Sequence, residues 1–170
     1  MKRHSSAASL VLALLAVLGL AGPVAAEEQV PFGGSFTGVV SVFPVPNEPN
    51  LRRAEVDATG NANHLGQFTL AIPHIADFTP PPPFSSEGFY IFEAANGDTL
   101  LAEFDGKFQP IPGGFAAVEI ATIIGGTGRF VGATGHFTVE RVVSVDPVTG
   151  IRTTSGSFQG TVSSPGAAKR

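Results

Sequence analysis

From Phe32 onward, short apolar runs rich in Val, Ile, Phe and Thr alternate with clusters of Gly, Pro, Asn and Asp, and little in the chain favours a long helix. The pattern predicts eight strands, at about 32–43, 54–59, 64–72, 88–95, 98–108, 115–124, 135–145 and 151–162. Strands joined by short turns in this number point to an all-β fold, an eight-stranded antiparallel up-and-down barrel. Phe recurs after Gly-x, as in Gly34-Ser35-Phe36, Gly66-Gln67-Phe68, Gly135-His136-Phe137 and Gly156-Ser157-Phe158. Such units suit a closed sheet, where glycine relieves crowding at bends and the ring fills the interior. Ser35–Ser41 and Ser157–Ser163 agree at five of seven positions, a similarity that edge strands closing a barrel on each other would use.

Two hairpins can be read from their turns. Asn96-Gly97 predicts a two-residue type I′ turn, which sets Tyr90 opposite Glu103, Phe92 opposite Leu101 and Ile91 opposite Ala102. Both faces of that pair are then largely apolar, so the outer one calls for a cover, a subunit contact being the natural candidate. Asp146-Pro147-Val148-Thr149-Gly150 predicts a type I turn closed by a glycine in the left-handed region. Up-and-down order places the segments around Pro44–Pro49, Pro73–Pro83, Pro110–Pro112 and Asp146–Gly150 at one end of the barrel. Binding loops cluster at one end of a rigid scaffold, and this proline-rich end is the expected one.

The stretch Gly125-Gly126-Thr127-Gly128-Arg129-Phe130-Val131-Gly132-Ala133-Thr134-Gly135 looks at first like a dinucleotide-binding turn. Val131 occupies the third glycine position, however, and the segment that follows has strand character, so that reading fails, as does a phosphate loop. The stretch instead resembles the strand-turn-strand signature of plant dirigent proteins and, more loosely, of allene oxide cyclases. Together with His64-Leu65-Gly66 and Ala95-Asn96-Gly97-Asp98 it also resembles a group of secreted bacterial proteins. The resemblance implies a calycin-like eight-stranded barrel, a homotrimer, and a lumen that orients or isomerises a small molecule. It carries over no catalytic residue.

Before the first strand, Lys2-Arg3-His4, an apolar stretch from Ala7 to Leu20 and the small residues up to Ala26 read as a secretory signal, residues 1–26, cut after Ala26. Residues 27–170 then form one domain of a secreted protein, extracellular or periplasmic, with no membrane anchor after processing. Loss of Lys2 and Arg3 leaves eight basic side chains against fourteen acidic ones, a net charge of −6, which argues against nucleic acid as a partner. No cysteine is present, so neither disulfides nor thiol chemistry are available. His64, His74 and His136 share no metal-ligand spacing, and neither a metal nor a cofactor is expected.

Glu119 falls in phase with Phe115, Ala117, Ala121 and Ile123, within an apolar strand. It is either a carboxyl with a raised pKa or a strand glutamate that faces solvent or pairs with Arg141 or Arg152. Arg141 interrupts the apolar phase of Phe137, Val139 and Val143. Glu119, Tyr90, Glu103 and Arg141 are the candidate ligand-binding residues of a lumen that takes a polar-headed molecule. Three functions fit: a non-catalytic barrel that binds or orients a small apolar or amphipathic ligand, an isomerase or cyclase, or a structural envelope protein with a filled interior.

Overall fold

The computed structural model describes residues 28–163, so the expected signal segment and its cut lie outside the described residues. The strands are β1 (Gln29–Val45), β2 (Glu48–Ala62), β3 (Gly66–Ala71), β4 (His74–Asp77), β5 (Phe84–Ala94), β6 (Thr99–Ile111), β7 (Gly114–Gly126), β8 (Gly135–Val145) and β9 (Arg152–Ser163). All neighbours are antiparallel, and β1 pairs with both β2 and β9, so the sheet closes. β3 and β4 share one place in the barrel, each lying between β2 and β5. They are separated at Ile72-Pro73, where proline has no N–H to give to a ladder. The result is the closed eight-stranded barrel expected, with nine strand segments around it.

Several strands run beyond the sequence-based limits. β1 and β2 continue to a tight turn at Pro46-Asn47, with Asn47 at φ 65°, where a long proline loop was expected. β4, expected as loop, is a strand. β8 has the expected limits of 135–145.

Closure follows from the Gly/Phe pattern. Phe36 faces Gly156 and Phe158 faces Gly34 across the β1–β9 ladder, and the two similar heptads meet at Ser35 opposite Ser157. A Cβ on Gly156 would lie 2.7 Å from Phe36 Cζ, so the ring occupies space that only glycine leaves open. Phe32, Phe36, Phe68, Phe92, Phe137 and Phe158 fill the interior toward the glycine-rich end. There the Gly125–Gly135 segment folds into a 3-10 turn at Gly128–Phe130 that buries Phe130 completely. Arg129 stays with that turn: its Nε lies 3.6 Å from Asp98 Oδ2, a structural role at the tight end.

The β5–β6 hairpin differs from expectation by one residue. Ala94 N–H donates to Asp98 O and Gly97 N–H donates to Ala94 O, with Gly97 at φ 83°, which makes a three-residue loop with a bulge. Tyr90 therefore faces Ala102 and Glu103 faces Phe89. The slip re-sorts the two faces: Tyr90, Phe92, Leu100, Ala102 and Phe104 are all inward and buried, while Phe89, Ile91, Glu93 and Glu103 point out. The Asp146–Gly150 hairpin is as expected, with Gly150 at φ 70° and its N–H donating to Asp146 O.

Candidate functional site

Toward the proline-rich end the aromatic filling gives way to a buried polar group built from four strands. β7 supplies Glu119, β8 Arg141, β5 Tyr90 and β4 His74, each on the inward phase of its strand. Ala117 is the direct partner of Arg141, and Glu119 lies two residues along the same face of β7, close enough for a diagonal ion pair. Arg141 Nε donates to both Glu119 oxygens at 3.0 Å, and Nη2 donates to Oε1 at 2.7 Å. The Tyr90 hydroxyl donates to Glu119 Oε2. Exposure of the Glu119 carboxylate is 0 %, and that of the Arg141 side chain 4 %.

His74 completes the group. Its Nδ1 lies 2.9 Å from Ile72 O, which can only accept, so Nδ1 carries the proton and Nε2 is free to accept from Arg141 Nη2 at 3.3 Å. Burial, and then the adjacent Arg141 charge, hold the His74 pKa below its ordinary value. Burial, and then the Glu119 charge, push Tyr90 well above the ordinary phenol value. For Arg141, burial works against the cation, but the charge of Glu119 and its hydrogen bonds outweigh it and keep the guanidinium firmly protonated.

Beneath the mouth of the proline-rich end lies a cavity of about 380 Å³. Phe78, Phe108 and Phe115 form much of its apolar wall, and Arg141, His74 and Ser86 also line it. Two buried polar atoms here have no hydrogen-bond partner among the described residues, Arg141 Nη1 and Ser86 Oγ. A buried donor without an acceptor is costly, so the site favours an occupant that brings an oxygen to Arg141.

Three of the four candidates thus converge, and of the readings open for Glu119 the structure shows the ion pair with Arg141, formed inside the barrel. Glu103 does not join them; the one-residue slip of its hairpin puts it on the outer face, exposed. His74 was not among the candidates, because Pro73 before it and the prolines after it read as loop. The signal that marks it is the inward alternation of His74, Ala76 and Phe78, all lining the cavity. His64 and His136 are exposed and lie away from the group.

No family model and no curated protein matches the chain. Among solved structures it is similar to two pterocarpan synthase dirigent proteins. With PsPTS1 the TM-score is 0.50 at 15% identity, covering 79% of this chain and 95% of that one. With GePTS1 the TM-score is 0.50 at 15% identity, covering 89% of this chain and 100% of that one. The likeness is one of fold, a closed antiparallel barrel shared with these two dirigent proteins.

Proposed function

We propose that this dirigent-like barrel is an exported protein that binds and orients a small amphipathic molecule in the lumen of its proline-rich end, without transforming it. The observation that carries the proposal is Arg141 Nη1, a buried donor with no partner among the described residues, on a side chain that lines the cavity. The apolar wall would hold the body of the ligand and Arg141 an oxygen, a division of labour usual in small-molecule sites. A cavity of about 380 Å³ suits one small ligand.

Binding is favoured over catalysis by the way the ionisable groups are engaged. The Tyr90 hydroxyl donates its hydrogen bond to Glu119, both Glu119 oxygens receive donors, and His74 uses both ring nitrogens. The lone pairs of Glu119 and of His74 Nε2, and the protons of Tyr90 and His74 Nδ1, are all engaged, whereas a general acid or base offers one of these to its substrate. Of the four groups Arg141 keeps an open donor, while Tyr90, Glu119 and His74 hold it in place. Export rests on the charge, apolar and small-residue pattern of residues 1–26; among the described residues no helix is long and apolar enough to cross a membrane.

We also infer a homo-oligomer, the resemblance pointing to a trimer. The outer face of β7 carries Ile120 at 64 % exposure and Val118 at 52 %, and that of β5, across the charged row of β6, Phe89 at 43 %, apolar area that a second copy would cover.

Native mass spectrometry of the protein purified from its host tests the ligand. A discrete small-molecule adduct is expected, and V143W, which fills the half-buried mouth position at Val143, is expected to lose it. An adduct held equally by V143W, or wild-type protein that takes up neither a host ligand nor an added apolar probe, removes the lumen reading.

A further inference from the structure

Resting on lumen binding, the charges around the cavity name the class of molecule. Arg52, Arg141 and Arg152 all line it, and no Asp or Glu does. That is the reverse of the protein as a whole, whose net charge is −4. The three arginines form a gradient of depth: Arg141 is buried, Arg52 half-buried and Arg152 exposed. Arg52 and Arg152 lie on β2 and β9, the two strands that flank β1, whose Val40 and Val42 also line the cavity.

The three differ in what balances them. The charge of Arg141 is already matched by Glu119, so its open N–H suits a neutral oxygen; a buried anion there would leave the pair with excess negative charge. Arg52 and Arg152 have no carboxylate partner among the described residues. Arg52 Nη1 donates only to the carbonyls of Pro49 at 2.8 Å and Leu51 at 2.7 Å, which position the guanidinium without neutralising it. Two acids at this end are engaged elsewhere, Asp77 Oδ1 accepting from Thr79 N–H and Asp146 Oδ1 from the N–H groups of Val148 and Thr149, and Glu48 of the β1–β2 turn does not line the cavity.

We infer that the lumen selects organic anions that enter apolar end first, leaving a carboxylate or similar anionic group at the mouth between Arg52 and Arg152. Charge-assisted bonds from two arginines in a partly desolvated mouth hold the head, and the phenylalanine wall takes the body.

The test uses N-phenyl-1-naphthylamine, a neutral fluorescent apolar probe, displaced by decanoate or by 1-decanol, which share a chain and differ in head group. Decanoate is expected to displace the probe at about tenfold lower concentration, an advantage that shrinks as salt rises and screens the mouth. In R52Q/R152Q the advantage should vanish while 1-decanol competes as before. Equal displacement by the two competitors in wild type, or an unchanged advantage in R52Q/R152Q, overturns the anion inference and leaves lumen binding standing. Probe fluorescence that V143W does not reduce shows instead that the probe sits outside the lumen, and both readings fall together. Near-ultraviolet circular dichroism of each variant confirms that it is folded.

Discussion

Gly106 faces Glu119 directly across the β6–β7 ladder, and a Cβ on Gly106 would stand 2.5 Å from Glu119 Cγ and 2.8 Å from Ser86 Oγ. The carboxylate that anchors Arg141 thus occupies the space glycine leaves. G106A should displace Glu119, at a cost of about 1–3 kcal/mol as for other overpacked interiors. Chemical denaturation measures it; a variant as stable as wild type would show that Glu119 has room to move and that the group is less fixed than its packing implies.

Removing one partner of the buried pair should cost more than removing both. E119L leaves the Arg141 cation buried with no counter-charge, a loss of about 3–5 kcal/mol, whereas E119L/R141M replaces the pair with apolar groups of similar size and should recover most of it. The double-mutant cycle in urea gives the coupling. If the double variant is as unstable as the sum of the singles, the pair is not the unit that the hydrogen bonds describe.

Much of this arrangement could be read before any coordinates. Closure of β1 on β9 followed from two similar heptads, and the inward phase of Glu119 and Arg141 followed from their apolar neighbours, because alternation in a strand depends only on counting along one segment. Pairing between strands depends on turn length, and there one residue was decisive. Asn96-Gly97 serves a two-residue and a three-residue loop almost equally well, and the bulge at Gly97 moved Glu103 from Tyr90's partner to the outer face. His74 was hidden for a different reason: β4 has four residues between prolines, and its pairing with Ala54 and Gly88 is tertiary.

His74 should make the protein sensitive to mild acid. Its native pKa lies below the ordinary 6.5, so in the window between the two the unfolded chain holds more protons, and stability falls as pH drops from about 6.5 toward the native value. Protonation would also set a second cation against Arg141 and end the Nη2 to Nε2 hydrogen bond. H74Q keeps an acceptor for Arg141 but does not titrate. Urea midpoints at pH 7.5 and pH 5 should fall further for wild type than for H74Q; parallel curves would assign the acid loss to carboxylates elsewhere.

The corrected hairpin register leaves an outer face of β5 and β6 in which apolar and charged side chains are mixed, where two largely apolar faces were expected, and shifts the case for a subunit contact toward β7. With Tyr90 and Phe92 inward, the outer row of β5 still shows Phe89 at 43 % and Ile91 at 38 % exposure, and β7 adds Val118, Ile120 and Ile124. β6 lies between the two and sets charge within this face, Glu103 beside Phe89, Lys107 beside Val118 and Asp105 beside Ile120, so the apolar strip is that of β7. Native mass spectrometry of the wild type should therefore record a multimer, three copies being the number expected. I120K, which places a cation at the most exposed position of the strip, should yield monomers at the same concentration and leave the near-ultraviolet signal of the aromatic interior unchanged. Wild-type protein that stays monomeric at about 10 μM, well above the Kd of a stable dimer or trimer, would mean that something other than this chain covers β5 and β7.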